Sequence, residues 1–267
     1  MIETGICGIG GRMGRLLADL VVDSEDMRLC GCTEAPDHPL VGRDAGEALG
    51  RAALGVHICT DPAPMAAAAD VVVDFTLPEA TLHTAAACGR NGTAMVVGTT
   101  GFDAEQLKEF QNLIEPVACV FAPNYSTAMN LLFKLVRDAA AILGEAYDVE
   151  VVEAHHRHKV DAPSGTALRL AERAAAGLEL NLQQVAVHGR HGNTGPRPRK
   201  EIGIHALRLG DLVGDHAVLF GAQGECLELR HRATSRDAFA QGALRAARFA
   251  VTARPGQYSM GDVLAMH

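Results

Sequence analysis

The chain runs from a short apolar segment directly into Gly8-Ile9-Gly10-Gly11-Arg12-Met13-Gly14. This G-x-G-x-x-G string restricts the fold more than any other segment. Glycines let the backbone turn sharply out of a strand, and the last of them lets a helix pack closely behind. Glycine-rich turns are common, so the string alone says little. Its setting says more: residues 4–8 are strand-like, and residues 14–22 carry apolar positions at helical spacing. A strand, a tight turn and a helix start together make a seat for a pyrophosphate, held by open N–H groups and the helix dipole. Glu34 follows the second strand-like run (28–33), where a carboxylate reaches the ribose hydroxyls of a dinucleotide. No Gly-Lys-Ser/Thr follows the glycines, which excludes a Walker-type loop.

Further strand candidates at 56–58, 71–75, 94–98 and 118–122 alternate with helical segments at 79–88 and 104–113. Near-continuous apolar strands between helices imply an α/β fold, a doubly wound parallel sheet covered on both faces. After Tyr125 the pattern changes. A helix is expected over 127–143, a strand over 148–154 and a helix over 164–176. A Gly/Pro/basic loop over 188–200 is long enough to carry function. Strands at 202–208, 216–220 and 226–230 and a helix at 237–250 complete the chain. Few helices separate these strands, so a smaller α+β domain with a mixed or antiparallel sheet is expected. The division is then 1–126 for dinucleotide binding, 127–235 for substrate binding, and 236–267 as a helix returning to the first domain. A chain of 267 residues can bury two such cores.

Charge and cysteine content narrow the partners. A formal net charge of −8 argues against nucleic acid. No apolar run reaches the ~18 residues of a membrane span, and no basic segment precedes an apolar one at the N-terminus, as a signal peptide would require. Seven cysteines at irregular spacing suit reduced thiols in the cytoplasm. Cys30-Gly31-Cys32 lacks the second pair a metal site needs, so it is expected to be part of a buried strand.

The chemistry concentrates in residues 153–167, Glu-Ala-His-His-Arg-His-Lys-Val-Asp-Ala-Pro-Ser-Gly-Thr-Ala. His155 and Lys159 share a face in either an extended or a helical backbone, and two adjacent cations depress each other's pKa. They are the expected proton donors. His156 points elsewhere and is assigned to substrate. Ser164, Gly165 and Thr166 open a helix, where N–H groups and hydroxyls hold a carboxylate, with Ser164 also serving as N-cap. Pro163 fixes the approach to that helix. Metal ligation is not expected, because adjacent histidines on a strand face opposite ways and a lysine among them repels a cation. Arg157 and His158 are assigned structural or supporting places. Arg190, Arg197, Arg199 and Lys200 form a further basic island suited to anion capture, and Arg236 adds charge to the site. The turns Phe75-Thr76-Leu77-Pro78 and Gly98-Thr99-Thr100-Gly101, beyond strand ends, are expected to wall the nicotinamide half of a dinucleotide.

With Gly98-Thr99-Thr100-Gly101-Phe102, Ala122-Pro123-Asn124-Tyr125-Ser126, the glycine loop and above all 153–167 in view, the chain resembles the bacterial dihydrodipicolinate reductase (4-hydroxy-tetrahydrodipicolinate reductase) family over essentially its whole length. The resemblance implies a Rossmann-like domain, a mixed α/β substrate domain, a cleft closing about a hinge, and a homotetramer built through the second domain's sheets. It implies that NADH or NADPH reduces a small cyclic dicarboxylate, with loss of water, to tetrahydrodipicolinate of the diaminopimelate route to lysine. His155 would then be the proton donor and acceptor and Lys159 a proton donor, with His156, Gly165 and Thr166 on the substrate. Cofactor contacts would fall on Gly8, Ile9, Gly10, Gly11, Arg12, Met13, Glu34, Gly98, Thr99, Thr100, Ala122, Pro123, Asn124 and Tyr125. Members that favour NADPH often carry arginine after the acidic residue of the second strand. Here Ala35 stands there, so NADH is the expected preference, while Arg12 keeps NADPH use open.

Two other readings fit less well. A semialdehyde dehydrogenase needs a nucleophilic cysteine at a helix start. Cys226 is the only cysteine after residue 126, and it lies in a strand-like run. A non-catalytic NAD-sensing protein would keep the glycines without the His155 and Lys159 pair.

Overall fold

The computed structural model describes residues 1–266. In chain order the first elements are β1 (Ile2–Cys7), α1 (Arg12–Val22), β2 (Met27–Thr33), α2 (Ala45–Leu49), β3 (Ile58–Cys59), α3 (Pro62–Ala68), β4 (Val71–Asp74), α4 (Pro78–Asn91), β5 (Ala94–Val97), α5 (Ala104–Ile114) and β6 (Ala118–Phe121). There follow α6 (Thr127–Leu143), β7 (Asp148–His155), α7 (Gly165–Gly177), α8 (Leu182–Val185), β8 (Ala186–His188), β9 (Ile202–Arg208), β10 (Gly214–Ala222) and β11 (Glu225–Ala233). The chain closes on α9 (Asp237–Thr252), β12 (Gly256–Tyr258) and α10 (Met260–Val263). They form two compact units, one of Met1–Thr127 with Asp237–His267 and one of Ala128–Arg236.

In the first unit a seven-stranded sheet runs β12-β6-β5-β4-β1-β2-β3, and all of its ladders are parallel. Its central strands are buried on both faces: every residue of Val71–Asp74 and Ala94–Val97 is buried. That accounts for their unbroken apolar sequence. One face packs α1 and α9 through Leu17, Val21, Ala243 and Ala247. The other packs Met65, Ala85, Phe110 and Ile114 of α3, α4 and α5. The alanines of α9 let it lie close to the chain below it; a Cβ on Gly242 would stand 1.8 Å from the Tyr125 carbonyl oxygen.

The elements missing from the sequence reading are short. α2, α3, α8, β8, β12 and α10 are seven residues or fewer, too few for a period to declare itself. Residues 56–58, read as a strand, are strand only from Ile58. Two of the short helices are set by an N-cap aspartate, with Asp44 accepting from Gly46 and Glu47 N–H and Asp61 from Ala63 N–H. Among the cysteines, Cys7, Cys32, Cys88 and Cys119 are buried, Cys30 is half-buried and Cys59 and Cys226 are exposed, all as free thiols.

The second unit holds a mixed five-stranded sheet, β11-β10-β7-β9-β8, one strand more than expected. β7, β9 and β8 run parallel; β10 and β11 are antiparallel to their neighbours. α6 and α7 cover one face, over Val149, Val151, Ile202, Ile204, Val218 and Phe220. The opposite side of β7 carries Glu150, and this corrects one expectation. Arg190 and Arg197 do not form an open basic island. Both bond the Glu150 carboxylate, Arg190 also pairs with Glu201, Arg197 with Asp148 at 2.7 Å, and Lys200 with Glu145 at 2.8 Å. The loop is pinned to the sheet by charges that carboxylates already neutralise.

Arg190, His205 and Arg197 together overcome the burial that would raise the Glu150 carboxyl, and hold it at about 2. A carboxyl depressed in the folded state stabilises above its unfolded pKa, and that stability is lost as pH falls toward the folded value. We therefore expect Glu150→Gln to lower the unfolding free energy at pH 7 by about 1–3 kcal/mol. The gap between variant and parent should close between pH 4.5 and about 2. Denaturant unfolding at stepped pH measures this; a gap independent of pH would contradict it.

Candidate active site

The first unit builds its site at the carboxyl ends of β1, β2 and β4. Gly8 leaves β1 with φ +68°, a conformation that favours glycine, and the Gly11 N–H returns to the Gly8 carbonyl at 2.9 Å. Gly10, Gly11 and Arg12 are exposed at the start of α1 and Met13 is half-buried, whereas the Ile9 side chain lies in the core, so only its backbone faces outward. Glu34 accepts the Gly10 N–H at 2.7 Å and the Ala35 N–H at 2.9 Å. Beside these residues opens a cavity of about 520 Å³, lined by Gly8, Gly11, Glu34, Thr60, Phe75 and Thr76 among others. Its size suits part of a dinucleotide. A Cβ on Gly10 would stand 2.5 Å from the His38 ring and 2.9 Å from the Glu34 carboxylate, so glycine leaves space for both side chains against the loop. The donor set and the glycine cradle fit a dinucleotide.

Other expected cofactor residues separate into backbone and buried side chains. Phe75, Thr76 and Leu77 line the same cavity as Glu34 and Gly8 rather than a wall apart from it. Gly98 is required by packing, since a Cβ there would fall 2.1 Å from the Phe75 ring. The Thr99 hydroxyl is buried against Thr81 at 2.8 Å, within a network around Asp74 that also takes Thr76. Thr100 and Pro123 are exposed, Asn124 is half-buried and Ala122 is buried. The Tyr125 side chain turns into the sheet. It is 1 % exposed, its hydroxyl lies between the carbonyls of Val97 and Val120, and its ring packs on Phe75. Its side chain supports the sheet.

The second unit gathers its chemistry where β7 runs out of apolar residues. The buried positions of β7 are Val149, Val151, Glu153 and His155. The same face that makes the core therefore ends on a carboxylate and an imidazole. Glu153 Oε2 lies 2.5 Å from His155 Nδ1, and both Glu153 oxygens accept from Arg208 of β9, at 2.9 and 3.0 Å. Glu153 Oε1 also accepts the Ser164 N–H at 3.0 Å. Burial would raise the Glu153 carboxyl, but Arg208, His155 and the Ser164 N–H outweigh it and keep it below the usual carboxylate range.

After His155 the chain turns, with Lys159 N–H on the His156 carbonyl at 3.1 Å. The backbone from 155 to 159 is therefore neither extended nor helical, and the periodicity argument for a shared face does not hold. Lys159 Nζ instead bonds Asp161 at 2.8 Å. His156 is half-buried. Burial, then the charges of His155, His158, Arg236 and Lys159, hold it below the ordinary histidine value. Arg236 thus contributes charge at this site, and the His156 and His158 rings lie 6.3 Å apart.

Ser164 caps α7, its hydroxyl accepting from the Ala167 N–H at 3.2 Å and meeting His216 Nε2 at 3.2 Å. It is 2 % exposed, so the expected hydroxyl contact to substrate is replaced by an internal one. Gly165 is exposed, and a Cβ there would meet nothing within 4 Å. Thr166 beside it is half-buried in the same first turn. The exposed residue of the helix start is therefore Gly165, with Thr166 next to it in the first turn.

Three groups escaped the sequence reading: Glu153 as a participant, Arg208 and His216. His216 stacks edge-on to His155 at 5.0 Å, and burial, then the charge of His155, pushes it down to about 4. Arg208 and His216 lie more than forty residues beyond 153–167 and arrive through strand register, as partners of His155 and Glu153 respectively. Glu153 left a signal, a charge at a core position of an alternating strand. Among the described residues, no cluster of His, Cys, Asp and Glu is arranged to hold a metal ion, and no helix is long and apolar enough to cross a membrane.

Comparison with known proteins spans both units. Residues 2–125 match the family model for the dihydrodipicolinate reductase N-terminus, and residues 128–264 that for its C-terminus. A 4-hydroxy-tetrahydrodipicolinate reductase of Halorhodospira halophila is 50% identical over 97% of each chain. One from Magnetococcus marinus is 48% identical over 98% of each. Among solved structures, a dipicolinate-bound dihydrodipicolinate reductase from Paenisporosarcina sp. TG-14 superposes with a TM-score of 0.76 at 29% identity, covering 97% of each chain.

Proposed function

The chain belongs to the dihydrodipicolinate reductase family, an NAD(P)H-dependent family of lysine and diaminopimelate biosynthesis, and from that membership we propose how its own residues carry the reaction. The observation that carries the reading is the end of β7. A buried, carboxylate-bonded His155, the cations after it and the open first turn of α7 occur together in one unit. The other unit supplies the glycine loop and Glu34. A dinucleotide bound by that unit would supply a hydride from its nicotinamide end.

The substrate is 4-hydroxy-tetrahydrodipicolinate, a ring with two carboxylates and a hydroxyl that leaves as water. The Gly165 and Thr166 turn receives one carboxylate on the positive end of α7, aided by His156. Ser164 acts through the helix start that it caps. His155 and Lys159 deliver and withdraw protons as the ring gains hydride and loses hydroxide, so that one proton and one hydride enter while water departs. The backbone of Gly8, Gly10, Gly11, Gly98 and Thr100 and the carboxylate of Glu34 hold the dinucleotide. By the same reading the chain assembles as a homotetramer through the second unit's sheet and works in the cytoplasm, with neither nucleic acid nor membrane as partner. An assay in which the preceding synthase makes the substrate in place tests the function; no cofactor oxidation by folded protein would overturn it.

NADH is the preferred cofactor. Glu34 is held by two N–H groups and is followed by Ala35, so its charge would face a 2′-phosphate with no cation at the next position of the chain. Like charges brought together in this way cost affinity. We expect kcat/KM to favour NADH by about tenfold or more, about 1.4 kcal/mol. An advantage for NADPH in the same assay would contradict the assignment.

A further inference from the structure

We infer that Glu153 is the positioning residue for His155, holding its imidazole as the Nδ1–H tautomer and tying it to the start of α7. This rests on the reading of His155 as a proton-transfer group. A buried carboxylate must be compensated, and a bidentate arginine would suffice for that alone. Here each oxygen takes a further donor. Oε2 receives Arg208 and His155 Nδ1, and Oε1 receives Arg208 and the Ser164 N–H. The two added bonds go to the two parts of the site, the imidazole and the helix start that receives the carboxylate.

The arrangement fixes the direction of proton transfer. With Nδ1–H given to Glu153, Nε2 is the nitrogen that exchanges its proton, and the nearby carboxylate stabilises the imidazolium formed on it. β10 leaves room on that side, because a Cβ on Gly214 would stand 3.2 Å from His155 Nε2. The charged and titratable groups facing the ring are Glu153 on β7, Arg208 from β9, His216 from β10 and His156 in the following turn. His216, pushed down to about 4, is neutral at pH 7 and adds no charge there. Arg208 further donates to the Asp161 carbonyl, so the same carboxylate and arginine pair steadies the 156–163 turn. During the reaction the imidazolium gives up its Nε2 proton, Glu153 remains a carboxylate throughout, and solvent restores the proton.

The test is the tautomer, read by NMR on the whole protein labelled with 15N-histidine, with the His155 signals assigned by their loss in His155→Asn. The neutral ring is expected to carry its proton on Nδ1. Glu153→Gln should shift it toward Nε2–H and lower kcat by roughly 10²-fold. NADH affinity should be unchanged. A wild-type Nε2–H tautomer overturns the inference whether or not the variant folds. So does a Glu153→Gln protein with wild-type kcat and the wild-type tautomer. Tautomer state is measured without turnover, so an inactive wild-type protein would refute the reductase reading while leaving this inference to be judged separately.

Discussion

Replacing Lys159 with alanine is expected to lower kcat by about 10²–10⁴-fold, the range for loss of a positioned proton donor. The Kd for NADH should stay within about a factor of two, because the glycine loop and Glu34 belong to the other unit, whereas Lys159 bonds Asp161 within its own. Two roles must be separated. A lysine that only attracts a dicarboxylate would, when removed, raise KM and leave kcat nearly intact. Lys159→Arg distinguishes them, since arginine keeps the charge but does not give up its proton near neutral pH. We expect arginine to restore KM and leave kcat low. Steady-state kinetics with a separate fluorescence titration of NADH measures both terms. Wild-type kcat in either variant would remove Lys159 from proton transfer. The geometry adds one condition, since Lys159 is bonded to Asp161 at 2.8 Å and must exchange that partner for substrate.

The lysine also marks how much of the site was legible in the sequence. Its identity and that of His155 stood out because residues 155–159 are dense in proton-bearing groups. Their mutual arrangement was not legible. Periodicity applies only to regular backbone, and the chain turns after His155. The glycine loop was legible because its requirement is local, a strand, a turn and a helix in succession. The side-chain partners of Tyr125 and Thr99 were not legible, for the opposite reason. Both stand beside the cofactor end of the sheet in sequence, but only tertiary packing shows that Phe75, Asp74 and Thr81 claim their side chains. Arg208 and His216 depend on the register of β9 and β10 on β7, which no local pattern sets. The larger α/β alternation was readable because each long helix and strand repeats its own period. The shortest elements were not.

Gly14→Ala is expected to weaken NADH binding by about thirtyfold or more, close to 2 kcal/mol. The argument is a contest of two effects. Gly14 lies inside α1 with ordinary helical backbone, where alanine should be favoured by about 1 kcal/mol. Against this, a Cβ at Gly14 would lie 2.0 Å from the Gly8 carbonyl oxygen, 2.5 Å from its carbon and 3.0 Å from the Ile9 nitrogen. Those are backbone atoms with no rotamer to yield, and overpacking of this kind costs about 1–3 kcal/mol, with more where nothing can relax. Sterics therefore outweigh propensity, and α1 must move away from the turn. The Gly8 carbonyl is also the acceptor for the Gly11 N–H, so the shift displaces the N–H groups meant for the pyrophosphate. Gly11→Ala provides the graded comparison. Its nearest contact is the same oxygen at 3.2 Å, a misfit of a few tenths of an ångström, and its effect should be much smaller. NADH titration and thermal unfolding of the two variants decide the matter. Gly14→Ala should lower both affinity and Tm. Wild-type affinity in Gly14→Ala would show that the close approach of α1 to Gly8 is not what forms the dinucleotide seat.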